Sequence, residues 1–351
     1  MKAALLGLAH PHSAILLTTL ENLPEITSIS LWDSDPAVVV AHSALSSHPK
    51  VSPFSSDLDT ILAQPDLSFA IVCVRNDQAA AVTHRVLAAG KHVLCEKPVG
   101  LTSAEIEKLQ DIAVKTGVVA SVLYTRRAHP CVVAARALIQ SGELGPLFSM
   151  EGRFLTTQVK FRDPHSWLFK RSQAGGGILS WLGCHCLDLL YHVSDDEITE
   201  VGAFLATRSG ETIDVEDTAV LALKFRSGAI GTFHAGYTLA YSGEGYVNLR
   251  GYDSYLAFNG RAGRVVWPDL KPHLLIESPP SPERSAVREE TFTVPASTSY
   301  GGRGGEDFFR QFFAAIQGHG PAPTTLADAL RTARTIEAAG ESSRTGRVVR
   351  V

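Results

Sequence analysis

Glu96 and Lys97 stand where a strand ends and chemistry can begin, in the run Gly90-Lys91-His92-Val93-Leu94-Cys95-Glu96-Lys97-Pro98. Val93 and Leu94 form a short apolar stretch entered through a glycine turn, and Pro98 closes it because it has no N–H to give to a ladder. The stretch reads as a core strand. An acid and a base therefore lie at its carboxyl end, where open α/β sheets take their ligands. A lysine held there can steady a developing alkoxide or bind a ribose hydroxyl. A Glu-Lys pair leaving a strand is also an ordinary surface feature, so the preceding elements have to decide between the two.

Those elements form a regular alternation. Lys2 to Gly7 is a strand that breaks at a glycine, and a helix follows, with Pro11 in its first turn, Ser13 as a cap and Ile15, Leu16, Leu17 and Leu20 as its apolar face. Strand, tight turn and helix make a phosphate cradle. The glycine fingerprint is degenerate: Gly7 keeps the first position, while Ala9 and His12 occupy the second and third. Ala9 is small enough for a pyrophosphate to approach the backbone. His10 and His12 are either donors to that group or solvated turn histidines. The next strand, Ser28 to Trp32, ends in Asp33, about twenty residues beyond the fingerprint, as a ribose-binding carboxylate requires. A carboxylate there repels a 2′-phosphate, which favours NAD over NADP, although Asp33 and Asp35 also suit a simple turn before Pro36. A third strand, Phe69 to Val74, runs into Arg75-Asn76-Asp77, and a helix over about 78–89 returns the chain to Lys97. Right-handed crossovers then place Gly7, Asp33, Asn76 and Lys97 on one sheet edge. A capping box at Thr102-Ser103-Ala104-Glu105 starts a helix to Thr116. A strand over 118–123 closes a doubly wound parallel domain, residues 1–123.

Residues 124–351 read differently. After Arg126-Arg127 and a helix over 131–141, β-rich runs recur at 147–157, 198–207, 218–225 and 229–235, then at 245–250, 255–258, 274–276 and 290–294. Strands in succession joined by tight turns suggest a large, mostly antiparallel open sheet. One helix interrupts them after Gly175-Gly176-Gly177, and on it Trp181, His185 and Asp188 share a face at spacings of four and three. Cys184 and Cys186 flank His185, but alternate helical residues point apart and cannot share a tetrahedral ion, so no metal is expected. Arg162, His165 and Trp167 occupy the loop before the helix. Two helical segments, 305–317 and 326–339, and a strand-like end at 347–351 complete the chain.

Composition narrows the function further. The 351 residues are 45% hydrophobic, enough for two cores, and a formal net charge of −4 without a Lys/Arg-rich block offers nothing to nucleic acid. Five cysteines without a Cys-x-x-Cys suit a reduced compartment. No apolar run approaches membrane-spanning length, and the first apolar run is too short for a signal peptide. A soluble cytoplasmic protein is expected.

Taken together, Glu96-Lys97-Pro98, Gly175-Gly176-Gly177 and Gly183-x-His185-x-x-Asp188 resemble the glucose-fructose oxidoreductase, inositol dehydrogenase and rhizopine-catabolism family, Gfo/Idh/MocA. Arg126-Arg127, Ser141 to Gly145, Val215 to Ala219 and Ser227 to Gly231 extend the resemblance over nearly the whole chain. It implies a Rossmann domain, an α/β domain whose open sheet mediates homodimers or homotetramers, and an NAD or NADP cofactor. It also implies that Lys97 and His185 hold the reacting oxygen of the substrate, with His185 as general acid/base. Gly7, Ala9, His10, His12, Asp33, Asn76, Glu96 and Lys97 are then expected at the cofactor, and Arg126, Arg162, His165, Trp167, Trp181 and Asp188 at a carbohydrate or glycoside. Family members commonly carry Asp where this chain has Trp181, which suits a larger ligand and leaves Asp188 with a structural role as the alternative. Three functions follow from the resemblance: NAD-dependent oxidation or reduction of a sugar, polyol or derivative at a secondary alcohol; glycoside cleavage through transient oxidation, elimination and re-reduction; and an NAD- and sugar-binding regulator.

Overall fold

Apolar runs free of charged residues suit strands buried on both faces, and here they form parallel strands. The computed structural model describes residues 1–45, 48–240, 251–282 and 284–351. In it β1 (Lys2–Leu6), β2 (Ser28–Trp32), β3 (Val51–Ser55), β4 (Leu67–Val72), β5 (His92–Cys95) and β6 (Ala120–Val122) form one sheet in the order β3-β2-β1-β4-β5-β6. Every pairing in it is parallel. Helices α1 (Ser13–Asn22), α2 (Pro36–Leu45), α3 (Leu58–Leu62), α4 (Asn76–Ala88) and α5 (Ser103–Thr116) make the crossovers. The strand order reverses between β1 and β4, the switch point where such sheets bind dinucleotides. The expected capping box is formed at Thr102 and Glu105, and α5 stops at Gly117 in the left-handed region.

The second sheet has nine strands in the order β14-β13-β12-β11-β7-β10-β9-β8-β15. They are β7 (Leu147–Thr157), β8 (Ile198–Ala206), β9 (Thr218–Phe225), β10 (Ile230–Leu239), β11 (Tyr252–Gly260), β12 (Gly263–Trp267), β13 (His273–Glu277), β14 (Val287–Thr291) and β15 (Val349–Arg350). Among the described residues only β7 and β10 of this sheet pair in parallel. The strand expected over 245–250 lies outside the described residues. Helices α6 (Pro130–Gln140), α7 (Arg171–Ala174) and α8 (Cys184–Ser194) follow one another between Arg126 and β8. Met150 and Phe154 of β7 share a core with Leu187 and Leu190 of α8. On the other face Phe204, Val220 and Ile230 lie exposed beside polar residues such as Lys224 and Thr232.

The chain divides into two compact units, Met1–Thr125 with Pro295–Leu330, and Arg126–Val294 with Arg331–Val351. The first boundary falls close to the expected 123/124 division, but residues 295–330 belong to the first unit instead of the second. Two interactions explain their return. Phe312 of α9 (Gly302–Ile316) packs edge-on against Phe69 of β4, with ring centroids 5.3 Å apart, and Thr324 Oγ1 accepts from the Val122 N–H of β6 at 2.8 Å. The last helix, α10, spans Leu326–Thr345.

Candidate active site

In the first unit the chemistry-bearing residues follow strand ends. Gly7 ends β1 at φ +104°, and a Cβ there would collide with the carbonyl oxygen of Cys73, so only glycine fits. Asp33, just past β2, turns back onto that loop: its Oδ2 accepts from the N–H of Leu8 at 2.8 Å and of Ala9 at 3.3 Å, and its Oδ1 accepts from Asp35 N–H at 3.0 Å. The carboxylate therefore shapes the loop that follows β1. Ser13 adds a second tie, donating from Oγ to the Gly7 carbonyl at 2.7 Å. Asn76 is buried at the start of α4.

Glu96 and Lys97 lie past β5, both buried, with Lys97 0% exposed. Glu96 Oε1 collects three donors: His12 Nδ1 at 2.9 Å, the Tyr300 hydroxyl at 3.3 Å and Lys97 Nζ at 3.5 Å. Its Oε2 is buried and has no hydrogen-bond partner among the described residues. Burial alone would raise the Glu96 carboxyl, but the charges of His12 and Lys97 and the His12 hydrogen bond outweigh it and hold the group down to about 2. His10 faces inward, its Nδ1 3.1 Å from His12 N and 3.3 Å from Cys73 Sγ. Burial holds its imidazole down to about 3, against the pull of Glu96. His10 is thus buried and His12 half-buried, and both take part in the hydrogen bonds around Glu96 and Cys73.

These shifts predict an acid response. A folded His10 that refuses a proton until about pH 3, against an ordinary 6.5, contributes stability that is full above 6.5 and falls as the unfolded chain takes up that proton. The Glu96 contribution is full above its ordinary 4.5 and is lost only as pH falls towards about 2. Of these two groups only His10 acts between pH 7 and 4.5, and the comparison with a His10 variant cancels the other histidines, such as His129, whose imidazole burial holds down to about 4. Wild type should therefore lose about 2 kcal/mol more stability over that window than His10→Asn, which keeps an acceptor but no titrating ring. Urea unfolding at the two pH values measures the difference, and equal losses would remove His10 as the cause.

In the second unit the glycine run precedes the helix for a steric reason. A Cβ on Gly177 would collide with the backbone of Glu216. Glu216 Oε1 accepts from the N–H groups of Gly177 at 2.8 Å and Leu179 at 3.3 Å, and its carbonyl accepts from Ile178 N–H at 3.0 Å. Burial raises the Glu216 carboxyl, with these N–H bonds and Arg171 acting against it. This clamp fixes the start of one π-helical turn, Leu179–Gly183, which runs directly into α8. Wide turns of this kind recur at functional sites. His185 lies buried in the first turn of α8.

The residues expected at a substrate have different surroundings. Trp181 is 3% exposed, lies in the core of the second unit and packs edge-on against Trp167 at 6.1 Å. The π turn breaks the uninterrupted α-helical spacing from which its facing was read. Asp188 is likewise withdrawn: both carboxylate oxygens accept from the guanidinium of Arg127, with Nε to Oδ2 at 2.9 Å, which is the structural alternative. Arg162 donates to Thr156 Oγ1 at 3.0 Å and lies 5.1 Å over the Tyr237 ring, while Arg126 lies 4.7 Å over Phe154. His165 stays exposed on its loop. Glu216 was present in the Val215-Glu216-Asp217 motif without a role. Tyr300 had no signal of its own, because its partner Glu96 lies 204 residues earlier.

Comparison with known proteins assigns these two halves. Residues 3–124 match the oxidoreductase family model with an NAD-binding Rossmann fold, and residues 132–266 match the GFO/IDH/MocA C-terminal domain. The chain belongs to the GFO/IDH/MocA oxidoreductase family. Relatives within the family include levoglucosan dehydrogenase of Pseudarthrobacter phenanthrenivorans, 27% identical over 61% of this chain and 58% of that protein. A second is 1,5-anhydro-D-fructose reductase of Ensifer adhaerens, 26% identical over 84% of this chain and 83% of that protein. Among solved structures, an oxidoreductase domain protein from Kribbella flavida superimposes with a TM-score of 0.87 at 25% identity, covering 99% of this chain and 98% of its own. Levoglucosan dehydrogenase in complex with NADH and levoglucosan shares the fold, with a TM-score of 0.87 at 22% identity and coverage of 100% and 99%.

The residues of the first unit fit the family's NAD. Ala9 is small and exposed on the loop past Gly7, Asp33 sets a carboxylate at the end of β2, and Glu96 Oε2, without a hydrogen-bond partner among the described residues, offers a buried acceptor. Among the described residues no group of His, Cys, Asp or Glu side chains is placed to hold a metal ion, and no helix is long and apolar enough to cross a membrane.

Proposed function

We propose that the protein is an NAD-dependent dehydrogenase acting at a secondary alcohol, or its ketone, in a sugar, polyol or sugar derivative. The observation that carries this reading is Lys97, wholly buried and paired with Glu96, at the carboxyl edge of the parallel sheet. NAD supplies the acceptor for the hydride. Oxidation of an alcohol also requires loss of the O–H proton, which we assign to His185, while the Lys97 ammonium steadies the oxygen as its charge grows. Arg126, Arg162 and Trp167 are assigned to the carbohydrate, with Trp181 shaping the wall from behind. His165, exposed on its loop, is assigned to the outer edge of that ligand. Relatives named for levoglucosan, anhydrofructose and myo-inositol support the substrate class.

The test follows NADH absorbance and aglycone release together while NAD and a panel of free sugars, anhydrosugars, polyols and aryl glycosides are supplied. NADH formed in proportion to substrate supports the dehydrogenase. Aglycone released without NADH would replace it by redox-assisted glycoside cleavage, and NADH binding without either reaction would leave a sensor.

We further propose that the chain forms homodimers or homotetramers through the open face of the nine-stranded sheet. Phe204, 83% exposed, opposes Val220 across β8 and β9, and Ile230 lies on the neighbouring β10. Exposed apolar side chains of this kind, set among polar ones such as Lys224 and Thr232, suit a second copy of the same face. Phe204→Glu should shift the mass measured by light scattering towards the monomer, and an unchanged mass would remove this face from the interface. The five buried free thiols favour a reducing, cytoplasmic location.

A further inference from the structure

We propose that Tyr300 is a positioning residue of the cofactor site, holding the Glu96 carboxylate in place at the nicotinamide end of the dinucleotide. The proposal rests on the NAD reading above and extends it to a residue outside the Rossmann segment that the family model covers.

Tyr300 reaches the site on a short, doubly anchored segment. Its backbone N–H donates to Thr19 Oγ1 at 2.7 Å, and Asn22 Nδ2 donates to Thr298 Oγ1 at 3.0 Å, both on α1. Gly301 and Gly302, at φ +73° and +63°, then turn the chain into α9. The phenol is thereby directed at the strand ends. Its ring lies 5.2 Å from that of His12, and its hydroxyl is 3.3 Å from Glu96 Oε1 and 3.5 Å from His12 Nδ1.

The topology says which end of the cofactor this concerns. Asp33 follows β2, in the β1 to β3 half of the sheet, and already organises the loop beside the adenosine half. Glu96 follows β5, in the other mononucleotide half, which takes the nicotinamide. On Glu96 the three donors converge on a single oxygen, so Oε2 is aimed by what holds Oε1. Removing the tyrosine hydroxyl leaves His12 and Lys97 to pull the carboxylate from two sides and lets it rotate. The phenyl ring remains in Tyr300→Phe, so packing against His12 is kept.

The experiment compares NADH with ADP-ribose, which lacks the nicotinamide, by calorimetric titration of the intact protein. Tyr300→Phe should weaken NADH about fivefold, the usual net scale of one hydrogen bond, and leave ADP-ribose within about twofold. The enhancement of NADH fluorescence on binding should fall in parallel. In a Glu96→Gln background the same substitution should add nothing, because Tyr300 acts through Glu96. Unchanged NADH affinity overturns the proposal, as does equal weakening of both ligands, which would mark a general defect of the fold. Failure of the underlying NAD reading is visible separately: wild type would then bind neither ligand, before any variant is compared, and the assignment of Tyr300 would fall with it.

Discussion

Lys97→Met is expected to lower kcat/KM by about 10²- to 10³-fold, the scale on which one preorganised charge-stabilising group acts in a water-excluded site. Lys97 is 0% exposed, so its ammonium works where water does not screen it, 3.5 Å from Glu96 Oε1. Methionine nearly reproduces the length and volume of the stem, so the substitution removes charge with little cavity formation. Glu96 keeps His12 and the Tyr300 hydroxyl as partners, which preserves the local fold. The loss should therefore appear in turnover more than in stability. Steady-state NADH formation with the best substrate of the panel, beside NADH titration of the same variant, separates the two. A drop below about tenfold would remove Lys97 from the chemistry and leave it a structural partner of Glu96.

What could be read from the sequence was whatever neighbours in the chain determine. Gly7, Asp33, Asn76 and Glu96-Lys97 each end or follow a strand, and alternation of strand and helix sufficed to bring those ends to one edge. The β-rich runs at 147–157 and 218–225 became β7 and β9 within the same bounds, because alternating burial wrote itself into side-chain type. β3 escaped because Pro53 interrupts it, and β12 because Gly260 and Gly263, which bracket its hairpin turn, read as loop. Long-range partnerships left no local trace. Glu216 meets Gly177 across 39 residues, Arg127 meets Asp188 across 61, and Tyr300 meets Glu96 across 204. The π turn at Leu179–Gly183 also left no trace, because helical spacing read from the sequence assumes 3.6 residues per turn. The same logic explains the return of 295–330, since the Phe-rich face of α9 announces that it needs a sheet without naming which one.

The Arg127–Asp188 pair carries the largest stability effect in the second unit. Side-chain exposures of 8% and 1% take both charges out of water, and the two-point geometry satisfies both carboxylate oxygens at once. Such a pair adds little over a well-packed apolar pair, but losing one member strands the other. Asp188→Ala should therefore destabilise the protein by about 3–5 kcal/mol, the cost of an uncompensated buried guanidinium, while Arg127→Met/Asp188→Leu should recover most of that loss. The consequence reaches the proposed chemistry through α8, because Asp188 lies one turn beyond His185 on that helix and anchors it to Arg127, the second residue of that unit. In the rescued double variant the fold returns without the fixed polar anchor. Its activity then reports whether His185 depends on the helix alone or on the ion pair that sets the rotation of the helix. Urea unfolding measures the first effect; a loss below about 1 kcal/mol in Asp188→Ala would mean that Arg127 finds water or another acceptor once Asp188 is gone.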